Sequence, residues 1–490
     1  MKFKKFAAMI LSLLMISGAM MLAACEGDGG STVDEKGRTK VSFWYWGSTA
    51  EVRVYEELID TYMDLNEDVI IVPTHYESNT YMTKFQSETT KPDVFFMPDT
   101  DFAQWVDAGI MLPLDSYVTE SEINSLWETG INEYYYNMDT KKLGRSSGAQ
   151  LYGFPKDLGP VTLAYNKKVL DRQIAANGLN SAEVYAKLDK LSPMTWTEFA
   201  DLCNDLMADQ KAKDKNNRLY AIPYCEMDAM IYSGGGDYFD KNDPTKHGID
   251  EAFIQTITYI IQLATVHGVM PDSDHSGQNA YTLFENDKII FTWIGPWDNA
   301  DFWANPDLKY DIIPVPYNSN IEGAHSKSMI GSMCYGVSEN SKVKEQAVKF
   351  AKWLSVSNEC QNKAMYLGQQ VPNIKSLADA YISDSGNWVC KSSASDPVLP
   401  ASRSLFVDIM DGSADTFGYW AAAGKTDCIE GKTRALYYTY GSTWKDNFNS
   451  YLATRHVWDM ASADDIRAAL VEYRTTYQHD LDEMYGDWRG

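Results

Sequence analysis

Two apolar rhythms alternate along this chain. Short runs that are apolar almost throughout suit buried strands, and longer stretches with apolar residues at helical spacing suit amphipathic helices. Val41 to Trp46 reads as a first buried strand. Glu51 to Met63 follows as a helix with Val54, Tyr55, Leu58, Ile59, Tyr62 and Met63 on one face. Val69 to Pro73 and Asp93 to Met97 are expected to be strands, and Ile289 to Trp293 and Tyr310 to Pro314 to be strands of a second sheet. Thr195 and Glu198 form a capping box ahead of Phe199, Leu202, Cys203 and Leu206. Val343, Ala347, Phe350, Ala351 and Leu354 mark another helix, and a last one starts near Ser462 and carries Ile466, Leu470, Tyr473, Tyr477 and Leu481. Strands alternating with helices in this way predict an α/β fold.

The start of the chain follows neither rhythm. Lys2, Lys4 and Lys5 precede an apolar and small-residue stretch from Phe6 to Leu22, which ends in Leu22-Ala23-Ala24-Cys25. A basic start, a short apolar run and small residues before a cleavage point read as an export signal rather than a membrane span. The motif resembles the lipobox of bacterial lipoproteins, which implies cleavage after residue 24 and a lipid on Cys25. Residues 26–38 (EGDGGSTVDEKGR) carry almost nothing apolar and are expected to act as a flexible tether. The expectation is a protein on the outer face of the bacterial cytoplasmic membrane, held by lipid.

Composition narrows the classes further. With 44% apolar and 13% aromatic residues, the chain can build ample core. Its formal net charge of −25 argues against nucleic acid and anionic lipid surfaces, which need a basic footprint. Besides Cys25, six cysteines (Cys203, Cys225, Cys334, Cys360, Cys390 and Cys428) are scattered without metal-like pairing, and most are expected to be free, buried thiols. No HExxH motif or close histidine pair suggests a metal. Asp240 to Asp243 with Glu251 in twelfth place has the outline of a calcium loop, but Thr245 stands where glycine is needed and Pro244 precedes it, so it reads as a solvated loop. No phosphate-binding GKS or GKT occurs after Gly234-Gly235-Gly236, which read as a flexible loop. No cofactor and no catalysis are expected.

Lys91 to Leu114 (KPDVFFMPDTDFAQWVDAGIMLPL) is a buried strand, a polar turn and an amphipathic helix. It resembles the extracellular sugar-binding proteins that serve ABC importers, the group including maltose-binding protein. Four further stretches resemble the same family in the same order: Tyr152 to Val169, Pro193 to Leu206, Leu283 to Trp297, and Gly331 to Leu354. The resemblance implies a two-lobed, periplasmic-binding-protein-like fold with a central ligand cleft and three crossings between lobes. Lobe one is expected at 39–153 plus 315–356 and lobe two at 154–314 plus 357–490, with crossings near Pro155, Pro316 and Ser357. It also implies a neutral carbohydrate ligand, an oligosaccharide, delivered by a monomeric receptor to ABC permease subunits.

A sugar offers an apolar ring face and a rim of hydroxyls, so its site needs flat aromatic platforms and a few convergent polar groups. Trp297, after Gly295-Pro296, matches the family's tryptophan that stacks on a sugar ring. Asp99, Thr100 and Asp101 follow the carboxyl end of a strand, where ligands of open α/β sheets bind. Trp46 or Tyr45 should reach the cleft from the end of the first strand, since neighbours on a strand face opposite ways. Asp157 is either a ligand contact or a turn residue, and Glu226 follows a strand-like segment. Tyr419, Trp420, Tyr437 to Tyr440 and Trp444 are further aromatics, core or cleft. A surface-anchored glycoside hydrolase would need two carboxylates at a defined separation, and an adhesin would show sandwich-like strands; the alternating layout favours neither.

Overall fold

The computed structural model describes residues 31–140, 142–188, 192–240, 242–243, 246–328, 330–391, 397–411 and 447–489. Cys25, Cys428, Tyr419, Trp420, Tyr437 to Tyr440 and Trp444 lie outside the described residues.

Eleven strands are described: β1 (Thr39–Trp46), β2 (Val69–Tyr76), β3 (Val94–Pro98), β4 (Tyr135–Asn137), β5 (Lys142–Leu143), β6 (Gln150–Leu151), β7 (Gly153–Pro160), β8 (Thr162–Asn166), β9 (Phe291–Ile294), β10 (Tyr310–Ile313) and β11 (Ile330–Val337). They form a five-stranded sheet in the order β2-β1-β3-β11-β7, a three-stranded sheet β10-β8-β9, and a small sheet β5-β4-β6. In the large sheet β2, β1 and β3 run parallel, so their carboxyl ends share one edge, while β11 pairs antiparallel with β3 and β7. The expected strands and the two-sheet division are thus present.

The five-stranded sheet anchors lobe one and the sheet β10-β8-β9 anchors lobe two. In lobe one, Val41, Phe43 and Tyr45 of β1 point into a core that includes Tyr55, Leu58 and Phe350. The helix Thr49–Leu65 supplies the apolar face read from its spacing, behind a Ser48–Glu51 capping box. In lobe two the period of two is equally plain. Leu163 and Tyr165 of β8 pack into one cluster with Phe199 and Leu206, whereas Ala164 faces a second cluster with Ile312 and Ile294. The C-terminal helix Ala463–Arg489 closes that second cluster with Ile466, Leu470, Tyr473, Tyr477 and Leu481, all buried.

Three expectations need correction. Pro155 is no crossing. It lies inside β7, paired with Cys334, and the chain passes between the sheets at Val161, the single residue separating β7 from β8. The second passage also comes later than Pro316, because Tyr317 and Asn318 still bond to Met194 and Ser233 of lobe two. The third lies beyond Ser357: the helix Asn358–Tyr366 packs on Thr49–Leu65 of lobe one, and Lys363 pairs with Glu57 there at 2.8 Å. Nor are residues 31–38 a loose tether. Asp34 pairs with Arg38 at 2.7 Å, and the Lys40 amide donates to the Thr32 carbonyl, folding this segment back on β1. Of the cysteines, Cys203, Cys225, Cys334, Cys360 and Cys390 are free thiols, and all but the half-buried Cys225 are buried.

Candidate functional site

The carboxyl edge of β1, β2 and β3 faces the short helices of lobe two across a cleft of about 700 Å³. From lobe one come Trp46 and Gly47 at the end of β1, Glu77 and Ser78 after β2, and Asp99 after β3. Trp46 is held edge-on by Tyr81 and Phe96, with ring centroids 4.5 and 5.3 Å away. Lobe two contributes Asn279, Tyr281 and Glu285 around the helix Ala280–Glu285, then Trp297, Asp298, Asp301 and Phe302. The helix Asn299–Phe302 packs on Thr49–Leu65, so the lobes touch at one end of the cleft.

Trp297 sits in a single 3₁₀ turn, Pro296–Asp298, and is only partly buried. Its ring rests on two glycines. A Cβ on Gly159 would stand 2.0 Å from Trp297 Cζ3, and one on Gly295 2.3 Å from its Cη2. Gly159 belongs to β7 of lobe one and Gly295 to lobe two. Only bare backbone lets the indole lie this close, and its seat therefore spans both lobes.

The cleft floor depends on a bulge. Along β7, Met333 faces Asp157 and Cys334 faces Pro155, which leaves Lys156 as the extra residue. A bulge re-aims side chains, and here consecutive Lys156 and Asp157 both line the cleft and pair with each other. Asn373 clamps the bulge, its Nδ2 donating to the Pro155 carbonyl at 2.7 Å and the Lys156 carbonyl at 3.0 Å. Ser355 Oγ donates to the Pro155 carbonyl at 2.5 Å.

Four carboxyl groups meet where the lobes touch. Glu51 accepts from the Ser48 amide and from Gln369 Nε2, both at 2.9 Å, and Asp298 accepts from the Gly295 amide at 2.8 Å. Burial pushes the Glu51 carboxyl above its usual range, with Lys156 opposing the shift. Burial raises Asp298 further, against the Gly295 amide that favours its charged form. Asp301 and Glu285 are raised for the same first reason; the Ser48 hydroxyl favours the charged form of Asp301, and Asp301 adds to the rise at Glu285.

Among the residues singled out from sequence, Trp46, Asp99, Asp157 and Trp297 line this cleft. Tyr45 does not. It is 3% exposed and stacks on Phe43 at 5.1 Å, because it shares the core face of β1 with Val41 and Phe43, while Trp46 on the other face reaches the cleft at the strand end. Asp101 does not line it either. The turn expected after Pro98 is already the helix Asp99–Asp107, and two steps along a helix carry Asp101 round from Asp99, where it accepts from Gln104 at 3.2 Å. The side chain of Thr100 lies outside the described residues. Glu226 precedes the helix Met227–Ser233 beside Tyr224 and is not a lining residue. Sequence reasoning missed Glu51, Glu285, Asp298, Asp301, Tyr281 and Lys156. For Asp298 a signal existed, in a Gly-Pro-Trp-Asp turn whose aspartate caps its own glycine amide.

The profile of bacterial extracellular solute-binding proteins matches residues 46–356, which takes in both cleft walls. The chain belongs to that family. Among curated relatives, a maltotriose-binding protein of Pyrococcus abyssi is 21% identical over 333 residues, 66% of this chain and 64% of the relative. A lactose-binding protein of Rhizobium radiobacter is 21% identical over 324 residues, covering 64% of this chain and 69% of the relative. The chain thus spans just under two thirds of the maltotriose-binding protein's length. Among solved structures, an ABC substrate-binding protein of Listeria monocytogenes in complex with cycloalternan aligns over 92% of this chain and 99% of its own, at 18% identity and a TM-score of 0.64. The Thermus thermophilus maltotriose-binding protein bound with maltotriose aligns over 89% and 99%, at 18% identity and a TM-score of 0.58. These likenesses establish the two-lobed fold of sugar-binding receptors. Among the described residues, no helix is long and apolar enough to cross a membrane.

Proposed function

We propose that this solute-binding protein is the receptor of an ABC importer and holds an oligosaccharide between its lobes. The observation that carries the reading is the cleft itself, with a tryptophan from each lobe set among carboxylates and amides. Trp297 would stack on one sugar ring and Asp99 would accept from hydroxyls on the opposite wall. Ligand between the walls favours the closed arrangement, and closure presents both lobe surfaces to permease subunits. The protein binds without catalysis and works as a monomer, tied to the outer face of the membrane through lipid on Cys25. The curated relatives named for maltotriose and lactose support the carbohydrate class.

A thermal-shift screen against mono- and oligosaccharides tests this reading, since a ligand of the native state raises the midpoint by mass action. A shift with an oligosaccharide supports it; shifts with peptides or phosphoesters alone overturn it. For the anchor, Cys25→Ala should release the protein from the membrane fraction. Unchanged fractionation of that variant would refute lipidation.

A further inference from the structure

We infer that the sugar this cleft takes carries basic nitrogen: an amino-sugar oligosaccharide with free amines, rather than a neutral one. The inference rests on the carbohydrate reading above and concerns only the charge of the ligand. The site is defined by the cavity and its two tryptophans; the charged side chains decide what those platforms can hold.

Seven carboxylates line the cleft against one lysine, and that lysine, Lys156, is already paired with Asp157. Glu51, Glu285, Asp298 and Asp301 make no ion pair with lysine or arginine among the described residues. Glu51, Asp298 and Asp301 are held instead by amides and hydroxyls, such as the Ser48 and Gly295 backbone amides. Behind Glu51, the fully buried Gln369 spends its Nε2 on Glu51, while its Oε1 finds no partner. This end of the cleft is therefore rich in acceptors and short of positive charge.

Hydroxyls of a neutral sugar can donate to such a wall but cannot neutralise it. Closing the lobes on a neutral ligand would bury several like charges, which is costly unless they are paired or take up protons. An ammonium supplies both donors and charge, and its bonds to carboxylates are roughly twice as strong as neutral ones. An aromatic face adds a cation–π contribution, which Trp297 and Trp46 can provide. The upward shift of the four carboxyls has the same first cause, desolvation by burial, which only Lys156 opposes as a cation, at Glu51. An incoming cation would draw them back toward the charged form, so binding should release protons.

The test is calorimetry on the full chain at about pH 6 and low salt, with glucosamine trimer, its fully N-acetylated counterpart, maltotriose and spermidine as probes. The amine trimer should bind at least about tenfold more tightly than either uncharged trimer, and about 0.5 M salt should shrink that advantage by screening. Titration in buffers of different ionisation heat should show proton release. The double variant Glu285→Gln, Asp301→Asn should lose the preference for the amine while still binding the N-acetylated trimer; if it fails to fold, Glu77→Gln on the open rim replaces it with a smaller loss expected. Equal or tighter binding of maltotriose or the N-acetylated trimer overturns this inference and leaves the sugar-receptor reading standing. Binding of spermidine with no glycan bound overturns both.

Discussion

Lobe one meets the cleft with the ends of three neighbouring parallel strands, and lobe two meets it with short helices between Asn279 and Phe302. The first wall inherits its geometry from a sheet whose hydrogen bonds and core fix every strand end. The second is set by local packing: a 3₁₀ turn, a glycine seat and a capping aspartate. A strand end places one or two side chains with little freedom, whereas short helices can crowd many polar groups into a small space. Lobe one's four acids, Glu51, Glu77, Asp99 and Asp157, come from separate parts of that lobe, whereas Glu285, Asp298 and Asp301 of lobe two lie close together in sequence on its short helices.

The largest effects should come from separating core from cleft within lobe two, where two tryptophans stand four residues apart. Trp293 is 2% exposed in β9, with its Nε1 donating to the Tyr224 carbonyl at 2.9 Å. Trp293→Ala should cost ~3–5 kcal/mol of stability, the usual range for a truncated core aromatic, measured by denaturant unfolding. Trp297→Ala should leave unfolding nearly unchanged and cost ~2 kcal/mol of binding, about thirtyfold in Kd. If Trp297→Ala unfolds the ligand-free protein, the indole is core and the platform is elsewhere.

The glycine seat offers the next test, because it joins the two walls. Gly159→Ala puts a methyl group into the Trp297 ring, and the nearest atoms to that methyl all belong to the indole. Affinity should fall about tenfold as the platform is displaced. Adding Trp297→Ala should cost little more, since the clash and the platform disappear together. Additive losses in the double variant would show that Gly159 acts through something other than the ring.

What could be read from the chain follows the same division. The strands of lobe one, the helix Thr49–Leu65 and the C-terminal helix announce themselves by periodicity, because a buried face repeats at a fixed step. So did the position of Trp46 and Asp99, which needs only a strand and its end. β7 stayed hidden because Gly153 to Pro160 (GFPKDLGP) has no alternation; its pairing with β11 and the clamp from Asn373 impose strand geometry on a poor strand former. Tyr45 is core because it shares a face with Val41 and Phe43, while Lys40 and Ser42 mark the other side, so the alternation along β1 itself selects Trp46. Glu51, Glu285 and Asp301 carry no local mark at all. Glu51 meets the other two only through the contact of Thr49–Leu65 with Asn299–Phe302, which lie far apart in sequence.

A smaller effect distinguishes two neighbouring acids of lobe one. Asp99 lines the cleft, and Asp101 faces away beside Gln104. Asp99→Asn keeps shape and removes the charge from an acceptor, so affinity should drop several-fold, by roughly the difference between a charged and a neutral hydrogen bond. Asp101→Asn should leave Kd unchanged in the same titration. The reverse ranking would mean that the ligand approaches over the helix Asp99–Asp107 rather than along the strand ends.

The smallest effect is a slope against pH, and its sign separates the buried carboxyls of the cleft from exposed ion pairs elsewhere. Glu51, Glu285, Asp298 and Asp301 have folded-state pKa values raised by burial. Above about pH 4 the unfolded chain ionises these groups while the folded chain still holds their protons, so the folded state binds more protons and loses stability as pH rises. Exposed ion pairs far from the cleft work the other way. Glu251, drawn down to about 2 by Arg467, contributes stability above about pH 4 that is lost on further acidification. The melting temperature of the ligand-free protein should therefore rise modestly from pH 7.5 to about 5 and fall below about 4. Asp298→Asn and Asp301→Asn should flatten the upper limb without touching the lower one, and Arg467→Leu should soften the lower limb alone. An upper limb unchanged in both aspartate variants would mean that these carboxyls are already ionised at neutral pH, with solvent reaching the contact between the lobes.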